Sequence, residues 1–271
     1  MMNKKLIVLD LDGTTLKENQ TISLRTKSAL KSARSLGHEV MIATGRPYRL
    51  SSFYYSELEL TTPIVNFNGA VLHHPLNPNY LDAYHESIDL SIVKDILDYS
   101  STLPLANIAA EVQDSVFLER SDNTVPETFH LGVNNVVIGN IRQTINTNAT
   151  SLLFFGKIEE LDLMSKHLDE ELADVISHHT WGASWPAVEI VKHGIHKAVG
   201  IQRAAKSLQI DAKDIIAFGD EANDLQMLDY AGTGVAMGNA IPAAKNVADA
   251  VTLSNEDDGI AIYLEENLLK K

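Results

Sequence analysis

The sequence contains no cysteine. A disulfide framework, a thiolate metal site and a thiol nucleophile are therefore all excluded. Long apolar runs are missing as well. Nothing approaches the roughly 20 residues of a membrane span. The apolar stretch before Asp10 is only Leu6-Ile7-Val8-Leu9, too short for a secretion signal. Together these absences make a cytoplasmic location the expectation. Positive charge is scarce: 22 Lys and Arg stand against 36 Asp and Glu, a formal net charge of −14. No basic stripe interrupts the acidic background, so neither nucleic acid nor an anionic membrane is expected as a partner. So acidic a protein can bind phosphate only by concentrating positive charge locally, from a metal, a Lys or a helix N-terminus. What is present is 271 residues, 45% of them hydrophobic, enough to build a core in one large or two modest domains.

The stretch Lys4 to Leu16 organises the rest. Leu6 to Leu9 reads as a strand buried on both faces, and it ends in Asp10-Leu11-Asp12-Gly13-Thr14. Residues i and i+2 of an extended chain share a side, so Asp10 and Asp12 would aim together unless the Gly13 turn swings the second one away. Two close carboxylates repel each other and are costly to bury, and a hard divalent cation with a taste for oxygen resolves the conflict. Taken alone, the same residues also suit an ordinary strand end and turn.

Strands and helices then alternate. Ser23 caps an expected helix over Leu24 to Leu36, which Gly37 stops. Glu39 to Ala43 is a second strand, followed by Thr44-Gly45-Arg46-Pro47 and another helix. Pro63 to Phe67 is a third, and Asn68-Gly69 signals a hairpin into Ala70 to Leu72. Adjacent strand residues point oppositely, so His73-His74 is not expected to hold a metal. From about residue 83 the texture changes to hairpin-linked strands with helices between them, which predicts an inserted α+β module over 83–187. Residues 121–135 carry too little periodicity for an assignment. Trp181 and Trp185, near the return linker, are expected in packing or at a hinge, with a pocket lining as the alternative. The alternation then resumes over 188–271: a helix from His196 with Lys197 in its first turn, a strand over Ile215 to Phe218, and the acidic turn Gly219-Asp220-Glu221-Ala222-Asn223-Asp224. The fold class is thus α/β, a parallel sheet discontinuous in sequence (1–82 and 188–271). In such sheets ligands bind beyond the carboxyl ends of the strands.

Asp10/Asp12, Thr44, Lys197 and Asp220/Asn223/Asp224 follow four separate apolar strands, with Lys197 just inside its helix. Together they offer a nucleophile, a metal cage and donors for phosphate oxygens, the parts phosphoryl transfer needs. These motifs, with Gly234-Val235-Ala236-Met237-Gly238-Asn239-Ala240 and Glu256-Asp257-Asp258-Gly259, make the chain resemble the haloacid-dehalogenase superfamily of phosphatases. Within it the chain resembles the Cof-type sugar-phosphatase branch, with its large inserted cap. Thr15 stands where many members carry Leu, and it leaves the catalytic set intact.

The resemblance implies a Rossmann-like core and a Mg²⁺-dependent phosphatase acting on small phosphorylated metabolites, sugar phosphates among them. It implies Asp10 as nucleophile and Asp12 as general acid and base. Mg²⁺ would be held by the Asp10 and Asp220 carboxylates and the Asp12 carbonyl, supported by Asp224. Leu11 through its N–H, Thr44, Gly45, Lys197 and Asn223 would bind phosphate. The cap would select the substrate. A phosphomutase or phosphotransferase could use the same core, and a non-catalytic binding protein could keep the fold, although the retained Asp10 and Asp12 speak against that. Arg46 is expected to pair with an acid, with phosphate as the alternative partner, and His196 to lie on the surface at its helix start, with contact to the site as the alternative.

Overall fold

Apolar runs become strands where hydrogen-bonded neighbours flank them. In the computed structural model, which describes residues 4–133, 135–181 and 186–270, Leu6–Leu9 is wholly buried between Ile215–Gly219 and Glu39–Ile42. Thr233–Ala236 and Ala250–Val251 continue the sheet beyond Ile215–Gly219. All four pairings are parallel, so the carboxyl ends share one edge. Leu9 lies opposite both Phe218 and Ile42, which brings Asp10, Ala43 and Gly219 into line. A parallel bridge between Ala43 and Val65 adds Ile64–Asn66 beyond Glu39–Ile42.

Helix Leu24–Ser35 starts as expected, with the Ser23 hydroxyl accepting the Thr26 N–H at 3.0 Å. Helix Lys197–Ser207 packs Ile201, Ala204 and Ala205 against Leu6, Val8, Met41 and Val65. That helical spacing of small and apolar residues holds its first turn at the carboxyl edge of the sheet. The final helix, Gly259–Asn267, has Asp258 at its cap position without a side-chain cap bond. The short helix Pro242–Val247, opened by proline, was not expected from the sequence.

The chain separates into two compact units. One comprises residues up to Arg46, Ser51–Tyr84 and the chain from His196; the other comprises Pro47–Leu50 and His85–Ile195. In the second unit a six-stranded sheet runs in the order Ile176–Thr180, Ala187–Lys192, Ser151–Phe155, Asn107–Val112, Ser115–Leu118, Asn135–Ile138. Because Ala187–Lys192 pairs on both sides within this sheet, the unit runs to Ile195 instead of ending at 187. One sheet face packs Val93, Ile96 and Leu97 of helix Leu90–Ser100 and Leu161, Met164 and Leu168 of helix Ile158–Glu171. Alternate residues on the other face, Ala109, Leu153, Phe155 and Ala187, pack with Phe129 and Trp181. Trp181 is thus a packing residue; Trp185 lies outside the described residues. Asn135–Ile138, which begins where the aperiodic stretch 121–135 ends, pairs parallel with Ser115–Leu118.

Candidate active site

The first unit gathers its polar residues at the carboxyl edge. Asp10 continues the strand, its N–H bonded to the Phe218 carbonyl at 3.1 Å. The chain then turns sharply: Asp12 is extended and Gly13 takes φ +72°. A Cβ on Gly13 would stand 2.1 Å from Asp220 Oδ2, so the turn closes directly onto that carboxylate. Thr14 Oγ1 donates to Asp220 Oδ1 at 2.5 Å, and Thr15 Oγ1 donates to the Asp10 carbonyl at 2.5 Å. Asn239 Nδ2 donates to the Gly13 carbonyl at 2.8 Å, and the Leu11 carbonyl accepts from Leu16 N–H at 2.8 Å. The loop between Leu11 and Leu16 is therefore tied down from three directions.

Lys197 is wholly buried, and its Nζ lies 2.6 Å from Asp10 Oδ1 and 2.6 Å from Asp224 Oδ1. A cation in a helix's first turn opposes the helix dipole; here two carboxylates offset the cost. Burial works against the ammonium, but Asp10 and Asp224 outweigh it and hold Lys197 above its ordinary pKa. Asp224 Oδ2 accepts the main-chain N–H groups of Asp220 at 2.9 Å and Glu221 at 3.1 Å. Both Asp224 oxygens are thus engaged, which suits a supporting residue.

Oxygens of Asp10, Asp220 and Asp224 lie within 4.8 Å of one another, all three residues buried. Burial pushes Asp10 well above the ordinary carboxylate range; Lys197 pulls back, and Asp224 and Asp220 push further. Burial and the Asp224 charge raise Asp220 to about 7. Three acidic side chains crowd one ammonium, and all three offer only oxygen as ligand atoms. That set fits a hard divalent cation such as Mg²⁺.

Asp12 does not join this trio. Its carboxylate, half exposed, receives two bonds from Arg46: Nε to Oδ2 at 2.7 Å and NH2 to Oδ1 at 2.5 Å. The Gly13 turn has swung it away from Asp10. Thr44 is buried, and its Oγ1 accepts the Arg46 N–H at 3.1 Å. Asn223 Nδ2 donates to Asn68 Oδ1 at 2.9 Å, and a Cβ on Gly45 would come within 3.0 Å of that same oxygen. Asn68 is the residue sequence reasoning missed. In the sequence Asn68-Gly69 signals only a hairpin turn, yet the left-handed backbone of Asn68 (φ +52°) presents a buried amide to the Thr44–Gly45 and Asn223 turns. His196 is half-buried instead of lying on the surface, and burial lowers its pKa. Among the described residues, His73 and His74 belong to no group of possible metal ligands. His73 lies 3.3 Å from Asn66 Oδ1, and His74 stacks edge-on with Tyr80.

Residues 7–264 match the haloacid dehalogenase-like hydrolases. The chain is 45% identical to the 5-amino-6-(5-phospho-D-ribitylamino)uracil phosphatase of Bacillus subtilis over 261 residues, 96% of each chain. It is 29% identical to the phosphatase YwpJ of the same organism, over 98% of this chain and 100% of that one. A solved haloacid dehalogenase-like hydrolase from B. subtilis superposes with a TM-score of 0.79 at 27% identity, over 97% of this chain and all of the other. No helix among the described residues is long and apolar enough to cross a membrane.

Proposed function

The chain belongs to the haloacid dehalogenase-like hydrolases, in their Cof-type phosphatase branch, and from that premise we propose that it hydrolyses small phosphate monoesters through an aspartyl-phosphate on Asp10, with Mg²⁺ as cofactor. The observation that carries this reading is the bridge from Lys197 Nζ to Asp10 and Asp224, with Asp220 alongside. It presents a carboxylate oxygen beside a fixed positive charge at the end of a rigid strand.

Asp10 attacks phosphorus, forming an O–P bond as the bond to the leaving oxygen breaks. Asp12 gives its proton to that oxygen. Water then attacks the aspartyl-phosphate and passes a proton to the Asp12 carboxylate; the Asp10–phosphorus bond breaks and inorganic phosphate leaves. Lys197 balances charge on the phosphate and on Asp10. Thr44, the Gly45 and Leu11 N–H groups and Asn223 donate to phosphate oxygens. Asn68 holds the Asn223 amide in place. Asp10, Asp220 and the Asp12 carbonyl would hold Mg²⁺, with Asp224 fixing the turn, and the ion would supply the remaining charge neutralisation.

The second unit acts as the cap that selects the leaving group. The 45% identical relative is named for a phosphoribitylamino-uracil, which supports a phosphorylated sugar or polyol chain as the substrate class, that compound first. The test is phosphate release from a panel including it, with and without Mg²⁺, for wild type and Asp10→Asn. Mg²⁺-dependent release abolished by the substitution is expected. Transfer of the phosphoryl group to another hydroxyl would replace the reading with a phosphotransferase. No turnover by folded, Mg²⁺-loaded protein would favour the binding-protein reading.

A further inference from the structure

Arg46 grips Asp12 with two parallel bonds, Nε to Oδ2 and NH2 to Oδ1. A planar guanidinium fixes the rotation of a carboxylate in a way that one ammonium does not. An exposed ion pair is ordinarily worth little, because two long side chains must be ordered to make it. Arg46 is ordered by other contacts. Its NH2 also donates to Gln20 Oε1, and its guanidinium lies over the Tyr54 ring at 5.5 Å. Tyr54 in turn donates its hydroxyl to the Gln20 carbonyl at 3.1 Å. The Arg46 carbonyl accepts from Asn66 Nδ2 at 2.8 Å and from the Phe67 N–H at 3.3 Å. The exposures differ accordingly: the Arg46 side chain is 18% exposed and Asp12 is 54% exposed. The arginine is the fixed partner, and the carboxylate is the one being placed.

We infer that Arg46 is a positioning residue for the hydrolytic half of the reaction, holding the Asp12 carboxylate as an oriented acceptor for the proton of the attacking water. The inference rests on the aspartyl-phosphate route proposed above. In that half-reaction the water oxygen forms its bond to phosphorus and the Asp10 oxygen–phosphorus bond breaks. The water proton passes to a carboxylate oxygen of Asp12. Arg46 neither gains nor loses a proton. It keeps the acceptor from rotating into solvent during the wait for water, a misplacement that costs rate without touching substrate binding.

The test uses Mg²⁺-loaded enzyme and 4-nitrophenyl phosphate, whose leaving group departs without an acid, so only the second half-reaction calls on Asp12. In Arg46→Gln, kcat should fall about 10- to 100-fold. Nitrophenolate should appear in a burst approaching one per enzyme, and acid-quenched protein should carry covalent phosphate by intact mass. Arg46→Lys should recover part of kcat, since it keeps the charge but not the paired bonds. Asp12→Asn is the reference and should also trap phosphoenzyme. If Asp12→Asn traps phosphoenzyme while Arg46→Gln slows without a burst, or does not slow, the role assigned to Arg46 is wrong and the route stands. If Asp12→Asn carries no phosphate either, the route falls and the inference with it.

Discussion

Lys197 and Asp224 hold two separated parts of the site together. The ammonium at the first turn of helix Lys197–Ser207 lies 2.6 Å from a carboxylate whose other oxygen accepts the N–H groups of Asp220 and Glu221. Asp10 shares the same ammonium. The helix, the first strand and the acidic turn are therefore held by one charge, with none of the three groups open to solvent.

Removing that charge should be costly twice over. Lys197→Met leaves two buried carboxylates unpaired, and breaking such a pair from one side costs about 3–5 kcal/mol. Urea unfolding without metal should show a loss of that size, and phosphate release should fall at least about 100-fold. Unchanged stability would mean that water reaches Asp10 and Asp224 and that they are not buried as described.

Mg²⁺ should stabilise the protein and displace protons. At a hundredfold excess over Kd, a ligand bound only by the folded state adds about 2.7 kcal/mol, and Asp220→Asn should abolish most of that gain. Burial and Asp224 hold Asp220 at about 7, so a cation must compete with a proton there, and its affinity should rise with pH up to about that value. Titration calorimetry in two buffers of different ionisation enthalpy reads the released protons directly. Equal heats in both would count against the carboxylate cluster as the metal site.

Gly69 carries no functional group, yet its substitution should damage the site. Its φ is +106°, and a Cβ there would lie 2.3 Å from the His196 carbonyl oxygen and 3.2 Å from the Lys197 nitrogen. Both are backbone atoms, so the start of the Lys197 helix must shift. Gly69→Ala should cost about 2–3 kcal/mol and lower kcat at least about tenfold. A folded variant with wild-type kcat would show that Lys197 tolerates displacement.

Glu111 should impose a pH dependence on the stability of the second unit. It is buried, and burial raises it from the ordinary 4.5 to about 8; Arg49, 2.5 Å away, pulls back, and Glu189 adds to the rise. Between those values the folded state holds a proton that the unfolded state has released. Stability from this group is therefore full below about pH 4.5 and drains away as pH climbs to 8, with a slope of at most about 1.4 kcal/mol per unit. Urea unfolding at several pH values should give a flatter profile in Glu111→Gln. Parallel profiles for the two proteins would sink the assignment.

Local chemistry made much of the architecture legible. Leu6–Leu9, Glu39–Ile42 and Ile215–Gly219 announce themselves as continuous apolar runs because each is buried on both faces. Ser23 marks a helix start through its hydroxyl, and Gly37 the end through its left-handed backbone. Asn135–Ile138 did not announce itself. It is only partly buried, and it is a strand because Ser115–Leu118 pairs with it. Helix Pro242–Val247, only 6 residues long, buries little beyond Ala244 and gives no periodic signal.

The sequence by itself determined that acidic turns, a threonine and a lysine follow apolar strands. A parallel sheet then sends those turns to one edge, because the direction of each strand is set by the connection before it. Only the tertiary structure decided which side chains meet there. Asp10 and Asp12 are two residues apart, but they part company: Gly13 turns the chain, Lys197 claims the first and Arg46 the second. Asn68 acquires its place from Asn223, 155 residues away. Such pairings depend on loop closure and packing across the fold, and neither leaves a trace in local spacing.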